Sequence, residues 1–159
     1  MKASIFKIGF SFFFMASLCV NVMYAQDKKA EVKNSIEARQ FVFSAQTALP
    51  FSGSSRQLTP EYELKISKES VTSYLPYFGR SYSASYNSSD GGFKFTSVKF
   101  DFIAKPGKKG GWDISIKPKD VTDVRELSLI ISENGYATLH VTSENRQPIS
   151  FSGYITAIK

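Results

Sequence analysis

His140 is the only histidine in the sequence. A Ser–His relay would have to run through it, and so would most zinc sites. It alternates with Leu139 and Val141, beside Thr138 and Thr142 on the polar side of the same run. A single imidazole with no metal-spaced partner reads as an ordinary surface histidine. The sequence contains no G-x-S-x-G elbow, no H-E-x-x-H, no P-loop and no dinucleotide fingerprint. Gly107 and Gly110-Gly111 lie among lysines and open no helix, so they read as turn glycines. Two carboxylate pairs remain, because glycosidic chemistry needs only two carboxyl groups at the right separation in space. Glu61 and Glu63 share one strand face, and Asp120 and Asp123 bracket a loop. Both pairs also fit solvated surface charge. We assign no catalytic residue, no metal ligand and no cofactor from the sequence, and expect a protein that is not an enzyme.

Two segments could bind. Lys105, Lys108, Lys109, Lys117 and Lys119 surround Trp112, the one tryptophan. A basic patch with an aromatic suits anions: nucleic acid in general, acidic glycans or lipid head groups for an exported chain. Lysines also blunt strand edges and solubilise turns, and Trp112 fits the inward phase of its strand. The second segment is Ser73-Tyr74-Leu75-Pro76-Tyr77-Phe78-Gly79-Arg80-Ser81-Tyr82. Four aromatics and an arginine crowd around Pro76 and Gly79, with Tyr86 continuing the theme. Tyr and Arg recognise partners at low entropic cost. The same residues would equally form a loop folded over one end of a core, with Arg80 tying it to backbone carbonyls. The candidate ligand-binding residues are therefore Tyr74, Tyr77, Phe78, Arg80, Tyr82 and Trp112.

Extended backbone must position these groups. From Phe41 the apolar period is two. Phe41, Phe43 and Ala45 alternate with polar or small residues, as do Tyr62, Leu64 and Ile66; Val71, Ser73 and Leu75; and Trp112, Ile114 and Ile116. Leu127, Leu129 and Ile131 face Ala137, Leu139 and Val141 across Glu133-Asn134-Gly135. Asn-Gly between alternating runs is a strong hairpin signal, because both residues tolerate positive φ. Ile149, Phe151, Gly153, Ile155 and Ala157 close the chain, and Gly153 suggests a bend or a close backbone approach. Between Phe95 and Val98 the apolar phase changes from odd to even, which predicts a bulge or tight turn near Thr96-Ser97.

The result is an all-β reading: one antiparallel domain of eight or nine strands over residues 41–159, a barrel or barrel-like sandwich. No long helical run separates the strands, so parallel βαβ units are not expected. Residues 26–40 form a polar lead-in. Val32 and Ile36, four apart, fit a short helix capped by Asp27, or a flexible entry.

Residues 1–25 read as a secretory signal peptide. Lys2 and Lys7 precede the apolar run Ile8–Val20, and small Ala25 precedes polar Gln26-Asp27-Lys28-Lys29. Cleavage after Ala25 removes two of the charges behind the net +6 and also removes Cys19, the only cysteine. The mature chain then has no disulfide and no thiol chemistry. An uncleaved anchor fits less well, since the run is short for a span. Lipidation at Cys19 also fits less well, since Leu18 precedes it. No later segment is long and apolar enough to cross a bilayer as a helix. The expected location is the periplasm or the cell surface.

Several strings occur together in one order: Arg56-Gln57-Leu58, SYLPYFGRSY from Ser73, GGFKF from Gly91 and GGW from Gly110. KPKD from Lys117, ISENG from Ile131 and NRQPISFSGYI from Asn145 follow. Over about Ala38 to Ile158 the chain resembles the domain-of-unknown-function family 4251, small exported proteins of Bacteroidetes. The resemblance implies a lipocalin-like or related β architecture and an envelope setting. It carries no activity and no functional residues. The function expected is a non-catalytic binding module for a small apolar or glycan-like molecule or an envelope protein partner, without nucleic acid. A structural component of an envelope assembly is the alternative, and a carboxylate-based hydrolase is a third.

Overall fold

The computed structural model describes residues 28–82 and 91–158. The signal-peptide reading, Asp27, Cys19 and Tyr86 lie outside those residues. A helix, α1, covers residues 28–38. Ten strands follow: β1 Phe41–Pro50, β2 Arg56–Gln57, β3 Glu63–Ile66, β4 Val71–Leu75, β5 Phe93–Ser97, β6 Phe100–Pro106, β7 Trp112–Pro118, β8 Glu126–Ile131, β9 Tyr136–Thr142 and β10 Ile149–Ala157. They form one antiparallel sheet in the order β5-β4-β3-β1-β10-β9-β8-β7-β6, with β2 paired to β1. The expected all-β antiparallel domain is observed, and of barrel and sandwich it is a single sheet nearly closed into a barrel. The two-residue β2 is the strand that apolar alternation does not reveal, because both its residues are exposed.

Closure depends on the phase change between Phe95 and Val98. The chain turns at Val98-Lys99, one or two residues beyond the expected position, between β5 and β6. On one side of this corner β5 pairs with β4; on the other β6 pairs with β7. Consecutive strands thus sit at opposite ends of the sheet order, and a short bend brings those ends together. The phase shift keeps Phe93 and Phe95, then Phe100 and Phe102, against one core. Val98 and Ile103 point outward. Asp120 holds the corner. Its carboxylate accepts hydrogen bonds from the Val98 N–H at 2.9 Å, the Lys99 N–H at 3.1 Å and the buried Ser97 hydroxyl.

A second irregularity lies in β1. Phe41, Phe43 and Ala45 are buried, and then the buried position jumps to Ala48. The β1–β10 register shifts between Ala45 and Thr47, so Gln46 is a bulge residue. Gly153 pairs with Ala45 there, and a Cβ on it would come within 2.0 Å of the Ser44 carbonyl oxygen. The expected close backbone approach is real. The β8–β9 turn differs from expectation in detail. Gly135 has φ +87°, but Asn134 is not left-handed. The Gly135 N–H donates to the Ser132 carbonyl, and the Ser132 N–H to the Tyr136 carbonyl. This is a three-residue loop with one left-handed glycine, which asks nothing unusual of Asn134.

The barrel interior is packed with side chains. Phe41, Phe43, Leu64, Ile66, Val71, Leu75, Ile116, Leu127, Leu129, Leu139, Val141 and Phe151 are fully buried. Helix α1 covers one end. Val32 and Ile36 are buried on its inner side, and Gly135 leaves room for the Val32 side chain. The helix stops at Arg39, which has φ +53°. The Gln40 N–H reaches the Ser35 carbonyl and the Arg39 N–H the Ile36 carbonyl, a Schellman ending. The Arg39 guanidinium then lies 4.9 Å from the centre of the Phe102 ring. Residues 26–40 therefore enter through a packed helix rather than a flexible segment over the part described.

Candidate functional site

The six sequence-nominated residues separate into two places. Tyr77 and Phe78 pack against the core, over the end of the barrel opposite α1. The Tyr77 hydroxyl donates to the Arg80 carbonyl at 2.8 Å and the Gln147 carbonyl at 3.3 Å, and its ring meets Phe93 edge-on. Burial pushes the Tyr77 phenol up from its ordinary value. Arg56 stacks over Phe78 at 4.6 Å. The 76–82 loop is a lid on the core, held by backbone bonds to 145–147. The backbone of Arg80, rather than its guanidinium, makes that tie. The side chains of Arg80 and Tyr82 are exposed. Tyr74 points outward from β4, stacks on Tyr62 at 5.5 Å and carries the Lys94 ammonium over its ring at 4.8 Å. Tyr62, Tyr74, Tyr77 and Lys94 border a shallow pocket of about 280 Å³.

Beneath that lid sits a residue the sequence reading did not single out. Arg146 is only 6% exposed. Its guanidinium lies 5.2 Å from the Tyr77 ring centre and 5.1 Å from that of Phe93. It donates to the Gly91 carbonyl at 2.8 Å and pairs with Asp123 at 3.0 Å, while Nε has no partner among the described residues. Asp120 and Asp123, considered as a carboxylate pair, are thus engaged separately, one at the β5–β6 corner and one with Arg146. The other pair is outward: Glu61 accepts from the Thr59 hydroxyl at 3.0 Å, and Glu63 is exposed on β3. His140 is exposed, with Nδ1 2.9 Å from the Ser150 hydroxyl. No cluster of three His, Cys, Asp or Glu residues suited to a metal occurs among the described residues. No helix among them is long and apolar enough to cross a membrane.

Trp112 lies elsewhere, near the α1 end. It opens β7 in the inward phase but is partly exposed. Beside it runs a groove of about 730 Å³. Ile130, Tyr136, Thr138 and Asp113 border it, and all four are the exposed members of strands whose alternate residues are buried. The groove therefore lies on the outer wall of the barrel. Register explains its shape. Asp113 pairs with Ile130, Ile130 with Thr138, and Thr138 with Ser152, forming a continuous outward row. The row beside it, Trp112, Ile131, Ala137 and Gly153, belongs to the opposite face of the sheet and meets the groove along its backbone side. The exposed Gln46 bulge borders the far side.

The turn between β6 and β7 overhangs this groove. Its Lys108–Gly110 segment is a short 3-10 turn in which Lys109 has φ +53° and Gly110 φ +75°. A left-handed lysine is uncommon and costs on the order of 1 kcal/mol. Lys108 and Lys109 border the groove, whereas Lys105, Lys117 and Lys119 do not. Of the five lysines around Trp112 in sequence, two meet it in space. Ile130 and Tyr136, each more than 60% exposed, are not among the nominated residues. Strand pairing brings them to the groove that Trp112 borders, and pairing is not visible in a local window.

A search of curated proteins returns no match. Among solved structures, the chain is similar to a DUF4251 family protein from Bacteroides eggerthii DSM 20697, at 15% identity and a TM-score of 0.61. The match covers 82% of this chain and 87% of the other, and it supports the fold. The model of the domain of unknown function DUF4251 matches residues 24–155. The chain belongs to the DUF4251 family.

Proposed function

We propose that this protein is a non-catalytic binding module of the bacterial envelope that takes an acidic, glycan-like ligand in the outer groove beside Trp112. The carrying observation is the company Trp112 keeps. One exposed tyrosine, one exposed isoleucine and two lysines border a groove large enough for a small ligand, and Trp112 borders it from the inward phase of β7. Flat aromatic faces suit the apolar face of a sugar ring. The two ammonium groups suit a carboxylate or sulfate on it. Thr138, Ser152 and Gln46 add hydrogen-bonding groups. The filled interior speaks against a ligand carried inside the barrel. The leader-like residues 1–25 support export to the periplasm or cell surface.

Trp112 is the only tryptophan, so the fluorescence comes from a single residue bordering this groove. Titration with a uronic-acid oligosaccharide is expected to shift the emission and to saturate. A neutral glucose oligosaccharide of equal length should bind at least tenfold more weakly. Lys108→Ala with Lys109→Ala should remove that preference while leaving the fold intact. Equal and weak responses to both sugars would overturn the reading. A second reading, an interaction component of an envelope assembly, is favoured by β6, whose outer edge pairs with no strand among the described residues.

A further inference from the structure

Strand β6 ends the sheet order, so one of its edges is paired with β7 and the other with no strand among the described residues. From Ile103 to Pro106 every residue is exposed. The β5–β6 corner brings the two ends of the sheet together, but the strands form no ladder beyond it among the described residues, and an unpaired edge with exposed faces is a template for another strand. Proteins usually blunt such edges, and Lys105 and Pro106 at the end of β6 would serve that purpose alone. The strand also carries Asp101 at its other end. Read outward, the solvent face is Asp101, Ile103, Lys105.

That order is self-complementary in the antiparallel sense. Two copies of β6 placed edge to edge about a two-fold axis through Ile103 bring Asp101 opposite the partner's Lys105, and Lys105 opposite the partner's Asp101. Ile103, half exposed in the single chain, meets its own copy at the centre. Phe102 falls opposite the partner's Ala104. Pro106, which lacks an N–H, falls opposite the partner's Phe100, at the end of the ladder where a missing donor matters least. Opposite charges directly across an antiparallel pair stabilise it and like charges destabilise it. A two-fold contact of this kind closes after two copies and leaves no growing edge. The Asp101–Lys119 ion pair at 2.7 Å is solvent-exposed, so it leaves Asp101 open to a second cation.

We propose that the protein self-associates through β6, joining two barrels into a continuous sheet across an Ile103-centred two-fold. The occupant of the edge is a second copy of this chain. The contact uses the edge of β6 that faces away from β7, whereas the groove is bordered by β7, β8 and β9, so the mass measurement and the ligand titration can fail independently. A seven-residue strand buries modest area, and the association is therefore concentration-dependent.

The test is size-exclusion chromatography with light scattering over a concentration series, on protein purified from cells expressing the full chain. The wild-type mass is expected to rise from one chain toward two. Lys105→Asp sets Asp101 against the partner's new carboxylate and should weaken the association at least tenfold. Adding Asp101→Lys to it should restore the association by reversing both pairs. Ile103→Lys should abolish it, and circular dichroism checks that each variant keeps its sheet. Should Ile103→Lys fail to fold, the charge-reversal pair decides alone. A wild-type protein that stays monomeric throughout the series would overturn the proposal. So would a dimer indifferent to Lys105→Asp, which points to another surface, or a double variant no better than the single one.

Discussion

Arg146 shows how one side chain can organise one end of a barrel. Its two terminal nitrogens bind the Gly91 carbonyl and Asp123, and its flat faces pack near Tyr77 and Phe93. Loops at 91–92, 121–125 and 76–82 converge on it. A charge this buried is costly once its partners are gone. Arg146→Met is therefore expected to cost about 3 kcal/mol, read from urea denaturation. Arg146→Lys should recover little, because a point charge cannot span both partners as the planar guanidinium does. A lysine variant with the wild-type midpoint would show that the fork geometry is irrelevant. Tyr77→Phe tests the lid above it. Losing the bonds to Arg80 and Gln147 should cost about 1 kcal/mol. Burial raises the Tyr77 phenol, so the folded state holds that proton more firmly than the unfolded one. The stabilisation is present at neutral pH and lost as pH climbs through the raised value, and there the gap between wild type and Tyr77→Phe should close.

At the scale of elements, the β5–β6 corner converts an open sheet into a nearly closed one. The Ser97 hydroxyl, and then the Val98 N–H, hold the Asp120 carboxyl below the usual carboxylate range. The folded state therefore binds that proton less readily than the unfolded chain. The contribution is complete above the ordinary carboxylate range and is lost as pH falls through the lowered value. Asp120→Asn should destabilise the protein at neutral pH, and the two denaturation midpoints should converge in acid. A gap that persists unchanged in acid would mean the charge has no part in holding the corner. The sequence announces this corner, because the apolar phase breaks between Phe95 and Val98. It does not announce that the two halves pair at opposite ends of the sheet, since partners are chosen by packing across the whole barrel. Nine of the ten strands are legible because each turns alternate apolar residues toward the core, in β6 only the partly buried Phe100 and Phe102. The two-residue β2 has none. Arg146 escaped notice for a related reason: arginine is seldom buried, and nothing around Asn145-Arg146-Gln147 signals that three loops will close over it.

Over the whole molecule, the inside is occupied, so the groove proposed for binding lies outside. The Tyr74–Tyr82 segment, aromatic enough to suggest recognition, spends Tyr77 and Phe78 on sealing one end. Helix α1 seals the other. Trp112 was legible as a candidate, but Ile130 and Tyr136 come to border the same groove through the pairing of β7, β8 and β9. If α1 is part of the core, the molecule should unfold as one unit. Ile36 is 1% exposed, and Ile36→Ala should cost about 2–4 kcal/mol, as deletions at packed sites do. The sharper expectation concerns which signals move. Far-ultraviolet circular dichroism follows the sheet, and fluorescence follows Trp112 near the α1 end. Both transitions should shift to lower urea together and remain superimposed. A helix merely resting on a self-sufficient barrel would fray first, leaving both sheet and tryptophan transitions at their wild-type midpoint.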